Sequence, residues 1–189
     1  MFDVLHYQIL GCFQEPIDAR DREFKKGLYF LYYIGSDQLE LEVGEEDFKN
    51  PPAAGSYWLF RGDLKTKSGR IQLQQRDVVE VKDPEAVWND AYKLGGLVEG
   101  TAFLQKNPYF NDAGETVPLC EVRALGFQVR STFDKELYQK FAGGKSYGVS
   151  GALVNALRNQ TRGEDRYKVN EWQLAIHRVI NLEKKVPNK

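Results

Sequence analysis

Hydrophobic and polar residues alternate in short stretches along the first 82 residues, with the two-residue period of β-strands. The segment 38–43 is the clearest case, because Leu39, Leu41 and Val43 alternate with two glutamates. Other segments of this region are rich in aromatic and β-branched residues, which favour strands. The pattern therefore predicts a β-meander whose strands cover 4–13, 27–34, 38–43, 56–64 and 70–81.

The pattern changes between residues 83 and 96. Asp83 is a suitable helix N-cap, Pro84 suits the first helical position, and Gly95-Gly96 is a typical stop. Between them runs an apolar stripe with helical spacing, formed by Val87, Trp88, Ala91, Tyr92 and Leu94. We predict a helix of about three turns here, and we place the domain boundary in it.

Strand patterns return after this joint, at 97–105, 117–130, 145–153, 166–169 and 172–182. Gly126 is a weak point that would divide 117–130 into two strands, and Asp134 would cap a short helix at 135–142. With that division the order becomes three strands, a helix and two strands. This is the order of an OB-fold, a five-stranded Greek-key barrel.

One spacing of glycine and leucine, G-x6-G-x-L, occurs twice along the chain. A polar arm follows each copy, at 65–69 and at 154–164, and the second arm is long enough to stand clear of a core. The two copies are Gly55, Gly62 and Leu64, and Gly144, Gly151 and Leu153. We therefore predict a mainly β protein with two short helices, built as tandem OB-fold barrels: a divergent, acidic unit at 1–82, a linker helix at 83–96 and a second unit at 97–189.

The repeat also predicts how the two units correspond. Gly100, near the middle of its strand, is expected in the place of Gly11, a probable bend in the first strand. Trp58 and Phe60 share strand parity with Gly62 and are expected in the core. Their matches in the second copy are Tyr147 and Val149.

The charge of the chain is balanced overall and uneven along its length. The 189 residues contain 26 Lys and Arg and 27 Asp and Glu, for a net charge of −1. Residues 1–94 carry 12 basic and 17 acidic residues, a net of −5, whereas residues 95–189 carry 14 and 10, a net of +4. If a polyanion binds, we expect its binding site in the second unit.

Several motifs of the second unit together carry a family resemblance. They are Gly100, Asn107-Pro108, Gly114, Gly143-Gly144-Lys145-Ser146, Gly151-Ala152-Leu153 and the run G-E-D-R-Y at 163–167. On these motifs, most of residues 97–182 resembles bacterial single-stranded DNA-binding proteins of the OB-fold class. The first unit keeps only the glycine and leucine skeleton. The resemblance implies sequence-tolerant binding of single-stranded DNA in replication, recombination or repair, and a homodimer that presents four OB units.

Binding an unpaired strand requires cations for the phosphates and flat side chains on which bases stack. The candidate cations of the second unit are Arg123, Arg130, Lys145, Arg158, Arg162, Arg166 and Lys168. Its candidate stacking rings are Tyr109, Phe110, Phe127, Tyr167 and Trp172. Arg123 and Phe127 lie four apart in one predicted strand, so one would follow the backbone while the other stacks.

The first unit offers a smaller set of candidates. Tyr57 would stack on a wet strand face beside Arg61, Lys65, Lys67 and Arg70. For each ring of either unit, packing in the core is an open alternative. Arg158 and Arg162 are equally compatible with a solvated tip.

Catalytic chemistry has no support in the sequence. The only histidines, His6 and His177, have no cysteine or acid at metal-ligand spacing, and no phosphate-binding loop or nucleophile motif occurs. Cys12 and Cys120 are expected as buried apolar residues. We expect no enzyme activity, no cofactor and no metal. The absence of a long apolar run or basic leader predicts a cytoplasmic protein without a membrane segment.

A second class of function remains open. The OB units would keep their shape as a protein-interaction or assembly module without nucleic-acid binding, with the acidic first unit docking a partner. The near-neutral charge favours this reading. Binding of RNA in place of DNA rests on analogy between folds alone.

Overall fold

The structure is a computed structural model that describes residues 3–18, 28–36, 39–44, 52–162 and 165–182. Within these ranges, only the backbone is described for 16–18, 28–31, 39–40, 42–44, 157–162 and 165–170. Strands dominate the described chain, so the predicted mainly β class is confirmed.

Ten strands belong to one continuous sheet in the described chain, and a separate small hairpin adds two more. The first half contains β1 (Leu5–Asp18), β2 (Leu28–Ile34), β3 (Leu39–Gly44), β4 (Tyr57–Lys67) and β5 (Arg70–Val81). The second contains β6 (Gly95–Lys106), β7 (Tyr109–Phe110), β8 (Thr116–Val117), β9 (Leu119–Ala124), β10 (Phe127–Thr132), β11 (Lys145–Arg162) and β12 (Asp165–Asn181).

The strand pairing repeats itself. In the first five-strand set, β1–β5, both β2 and β4 pair with β1, while β3 pairs with β2 and β5 with β4. In the second five-strand set, β6 and β9–β12, both β9 and β11 pair with β6, while β10 pairs with β9 and β12 with β11. The two sets meet along their first strands, where Leu5–Gln8 pairs antiparallel with Leu97–Gly100.

The repeated G-x-L motif marks the same irregularity in both sets. The β4–β5 ladder shifts register between Arg61 and Gly62, and the β11–β12 ladder shifts between Ser150 and Gly151. A Cβ on Gly62 would lie 2.1 Å from the Gln74 carbonyl oxygen. On Gly151 it would lie 2.1 Å from the carbonyl oxygen of Ala175. Only glycine allows the partner strand to come this close at the bulge.

The predicted match between Gly11 and Gly100 is wrong by two residues. Tyr7 pairs with Gly62, and Val98 pairs with Gly151, so Tyr7 of the first set corresponds to Val98 of the second. By the same register Gly11, opposite Trp58, corresponds to Ala102, opposite Tyr147. A different contact explains the glycine at position 100. A Cβ added there would lie 2.1 Å from the Val4 carbonyl oxygen, where the two sets join.

The core runs through both sets as one cluster of buried side chains. Phe60 is buried and Trp58 packs against this cluster, as the repeat predicts. The matching residues Tyr147 and Val149 are buried as well. Cys120 is fully buried, whereas Cys12 is half-buried, and both are free thiols.

The predicted three-turn helix of the joint is two separate turns. Helix α1 (Pro84–Val87) begins at the N-cap Asp83, and a 3₁₀ turn follows at Asp90–Lys93. They are separate because Trp88 is extended (ψ 138°) and the Asn89 side chain caps the second turn by accepting from Ala91 N. Within the apolar stripe, Tyr92 is buried with Leu10 and Leu59, whereas Trp88 stays exposed.

The other helix, α2 (Lys135–Gln139), is capped by Asp134 as predicted. It is shorter than the predicted span of 135–142. None of the helices in the described ranges is long and apolar enough to cross a membrane.

Two predictions about strand limits have definite outcomes. The predicted division at Gly126 is correct, because β9 ends at Ala124 and β10 begins at Phe127. The predicted strands 166–169 and 172–182 form a single strand, β12. It pairs with β11 as far as Arg162 opposite Asp165, so the second polar arm is a continuation of this ladder.

Candidate nucleic-acid interface

An open groove of about 950 Å³ lies where β10 and β12 approach each other. Residues 128–132 of β10 and 171–175 of β12 form two of its sides. The described residues of these two strands share no backbone ladder, and the Ser131 hydroxyl donates to the Leu174 carbonyl oxygen at 2.6 Å. The groove has the size of a ligand-binding site, typically about 300–1,000 Å³.

The tip of the β4–β5 hairpin forms a further side of the groove, through Thr66 and residues 69–71. Thr66 donates its backbone N–H to the Gly126 carbonyl oxygen at 2.9 Å and accepts the Gln128 N–H on its hydroxyl at 3.1 Å. The Lys65 ammonium donates to the Leu125 carbonyl oxygen at 2.9 Å. These bonds fix the hairpin of the first set against the β9–β10 turn of the second.

Two arginines supply positive charge to the groove. Arg70 and Arg130 line it, both are exposed, and neither forms an ion pair with a carboxylate of the described side chains. Glu121 and Glu171 also line it, so its charge is mixed. Phosphate binding in this groove would therefore depend on the two arginines.

Glu121 is already engaged by neighbouring side chains. Arg123 binds its carboxylate at 2.7 Å, and the Gln128 amide donates to it as well. These hydrogen bonds, together with the nearby charges of Arg123 and Arg130, hold the pKa of Glu121 below its usual value. Glu121 therefore stays ionised, its negative charge is partly offset by Arg123, and Arg123 in turn is held in this ion pair.

Trp172 is the aromatic side chain of the groove. It is half-buried and packs against the core, and a Cβ on Gly95 would lie 3.0 Å from its ring. The glycine therefore leaves room for the indole. Because Trp172 lines the groove and is only half-buried, its ring is a candidate surface on which a base could stack.

The prediction that Phe127 stacks on bases is wrong. Its side chain is 2% exposed and belongs to the core. The shared strand with Arg123 is wrong too, because the turn at Leu125-Gly126 separates them and Arg123 pairs with Gln128. The alternation of side chains between the two sheet faces does not continue across a turn, so the spacing of four residues does not place Arg123 and Phe127 on the same face.

Apart from Arg70, the candidates of the first set do not line the groove. Arg61 makes a two-pronged ion pair with Asp77, at 2.7 and 3.0 Å, and Lys65 is bound to a carbonyl. Tyr57, at the start of β4, is partly exposed and lies opposite Cys12. Lys67 is exposed at the hairpin tip but does not line the groove.

The small β7–β8 hairpin presents exposed rings. Phe110 is 75% exposed and Tyr109 is 50% exposed. Asp112 and Glu115 lie beside them in the loop, which has no cation between 109 and 117. Lys145 is exposed at the start of β11, apart from the groove lining.

The long β11–β12 arm carries the remaining predicted residues. Val154 and Trp172 line the groove, and the ladder continues outward from them. The backbone register places Lys168 opposite Asn159, and Arg166 opposite Thr161. The side chains of Arg158, Arg162, Arg166, Tyr167 and Lys168 lie outside the described ones.

The sequence analysis did not identify three polar residues that line the groove with the arginines, namely Gln128, Ser131 and Gln173. It also did not associate Arg70 with the second set. The dipeptide Ser68-Gly69 indicates a hairpin, but no local pattern indicates which surface the hairpin tip will contact.

Comparison with known proteins agrees with this architecture. No family model and no curated protein matches the chain. The wild-type single-stranded DNA binding protein from Thermus aquaticus has a similar structure, with a TM-score of 0.51 and 12% identity. The match covers 100% of this chain and 97% of that one. A deletion variant of the same protein matches with a TM-score of 0.49, also at 12% identity. At this identity the likeness shows the fold: the chain has an OB fold like that of the Thermus protein, as the strand order predicts.

Proposed function

We propose that this protein binds single-stranded DNA without sequence preference and without catalysis, in replication, recombination or repair. The observation that carries the proposal is the open groove lined by Arg130 and Trp172. The β11–β12 ladder that supplies Trp172 continues as an arm whose sequence contains Arg158, Arg162, Arg166 and Lys168. The similar Thermus structure is that of a single-stranded DNA binding protein, which supports the proposal.

The chemistry of the groove suits a flexible polyanion. A guanidinium binds phosphate through its planar fork, and an exposed indole face stacks any base. Stacking contributes about 1–3 kcal/mol per base and does not depend on base identity. In a duplex the faces of the bases are covered by stacking, so we expect a preference for the unpaired strand.

We further propose that the chain consists of two OB units, at 1–82 and 97–189, joined by the segment 83–96. The same order of strand pairing in the two sets supports this division. A homodimer would then present four units to one strand. Analytical ultracentrifugation of the full chain tests this, because a monomer at all concentrations would contradict it.

The function is tested by fluorescence anisotropy with a labelled oligo(dT) and a labelled duplex of equal length, at low and high salt. We expect tighter binding of the single strand and an affinity that falls as salt rises. Lys82→Ala is a matched control, because this exposed lysine lies outside the groove. Equal affinity for the two probes, or no binding, would contradict the proposal.

A protein-interaction module is the second candidate function. The observation that favours it is the β7–β8 hairpin, whose Phe110 and Tyr109 are exposed and whose residues 109–117 include two acids and no cation. On this alternative, the chain would recover a partner protein in a nuclease-treated pull-down, and Phe110→Ala would abolish the recovery. A protein that fails to bind oligo(dT) but passes this test is an assembly module.

A further inference from the structure

The groove is built from both five-strand sets. Thr66 and residues 69–71 of its lining come from the β4–β5 hairpin of the first set, and the other lining residues belong to the second. We infer that the groove is a composite nucleic-acid site in which Arg70 of the first set contacts a phosphate of a strand that also occupies the second set. This inference rests on the proposed function and names a binding residue in it.

The hairpin tip is held in place on both sides of Arg70. Ser68 and Gly69 both have positive φ angles, 52° and 75°, as the two residues of a type I′ turn require. On one side of this turn lies Thr66, with its two hydrogen bonds to the β9–β10 region. On the other side Ile71 is 7% exposed and packs in the main core. The backbone that carries the Arg70 side chain is therefore fixed in position relative to the second set.

The other cations of the hairpin are not placed for this role. Arg61 is bound to Asp77, and Lys65 is bound to the Leu125 carbonyl. Arg76 of β5 is paired with Asp63. Lys67 is exposed on the far arm of the turn and does not line the groove. Arg70 does line it, and no carboxylate of the described side chains pairs with it.

The composite site has a chemical consequence. The lining cations of the described residues are Arg70 and Arg130, one from each set. A strand that contacts both arginines must cross the boundary between the sets, and Trp172 lies in the same groove for a base. The two sets would thus bind one segment of DNA together.

The test compares Arg70→Ala with Lys67→Ala, which removes an equal charge from the same hairpin. Affinity for oligo(dT) is measured over a series of salt concentrations. We expect Arg70→Ala to weaken binding roughly tenfold at low salt and to reduce the slope of log K against log salt by about 0.7, the value for one phosphate contact on a single strand. Lys67→Ala should change the slope much less. Equal effects of the two variants would indicate that only the overall positive charge of the hairpin attracts DNA, and this would overturn the inference.

Thr66 is a positioning residue in this scheme, and it gives a second test. Thr66→Val removes the hydroxyl that accepts the Gln128 N–H, while Thr66→Ser keeps it. The valine variant should lower both the affinity and the salt slope, and the serine variant should restore both. If the wild-type protein binds oligo(dT) but all four variants bind like it, the composite site is wrong and the proposed function stands. If the wild-type protein does not bind, both fail.

Discussion

The Ser131 hydroxyl donates a hydrogen bond of 2.6 Å to the Leu174 carbonyl oxygen. This bond connects β10 to β12 where the described residues of the two strands form no backbone ladder. Both residues line the groove, and both are buried. The bond therefore joins the two sides of the groove.

Replacing Ser131 by alanine should destabilise the fold. The change leaves a buried carbonyl oxygen without its donor, which costs about 1–3 kcal/mol of unfolding free energy. Urea denaturation measures this cost. Thr132→Ala is the matched control, because Thr132 is the exposed neighbour and its loss should change stability by about 0.5 kcal/mol or less. Equal stabilities of the two variants would show that the bond contributes nothing.

The bulge glycines should not tolerate a methyl group. Gly62→Ala and Gly151→Ala each place a Cβ 2.1 Å from a carbonyl oxygen of the partner strand. We expect a loss of about 3 kcal/mol or more, because the strands must separate to accept it. Gly148→Ala on β11 is the control, since its Cβ would meet its nearest neighbour at 3.5 Å, an ordinary contact. Thermal denaturation of the three variants decides the matter, and a stable Gly151→Ala protein would refute the explanation of the motif.

The arm should contribute cations to DNA binding. Arg158→Ala combined with Arg162→Ala should weaken binding to oligo(dT) and reduce the salt slope by up to about 1.4, because two phosphate contacts are lost. The measurement is the anisotropy titration over a salt series, with Lys82→Ala as the control. An unchanged slope would mean that the arm does not contact the strand.

The two cysteines should differ in reactivity. Burial raises the pKa of the Cys120 thiol to about 11, and its side chain is fully buried, whereas Cys12 is half-buried. Iodoacetamide at pH 8 should therefore modify Cys12 in the native protein and leave Cys120 intact, as peptide mass spectrometry would show. Rapid modification of Cys120 would contradict its placement in the core.

The same thiol predicts a dependence of stability on alkaline pH. Because its pKa is raised in the folded state, the unfolded chain loses this proton first. The contribution of the protonated Cys120 thiol to the free energy of unfolding is complete below the ordinary thiol pKa of 9.0 and is lost as the pH rises towards about 11. Cys120→Ala should have a lower stability at neutral pH but a flatter stability profile between these values. A profile parallel to that of the wild type would contradict the assignment.

The strands and the repeat could be predicted because their signals are local. Alternation and runs of aromatic and β-branched residues located most strands of both halves, and the repeated G-x-L spacing falls at two matching register shifts, at Gly62 and Gly151. Failures arose where one residue resets the pattern. The Asn89 cap divides the joint into two turns, and the turn before Phe127 brings this ring into the core.

The groove itself could not be read from the sequence. It depends on the contact of Thr66 with Gly126 and Gln128, which are about sixty positions away along the chain. Arg130 and Trp172 were predicted as single candidates, and the structure brings them together. Arg70 joins them only because the hairpin of one set docks on the other.

Ultraviolet cross-linking of oligo(dT) to the full chain, followed by identification of the linked peptides, tests the location of the DNA most directly. We expect cross-links in residues 66–71, 128–132 and 171–175, the three sides of the groove, and these should disappear at high salt. Cross-links confined to the β7–β8 hairpin, or their absence from all three sides, would contradict binding in the groove.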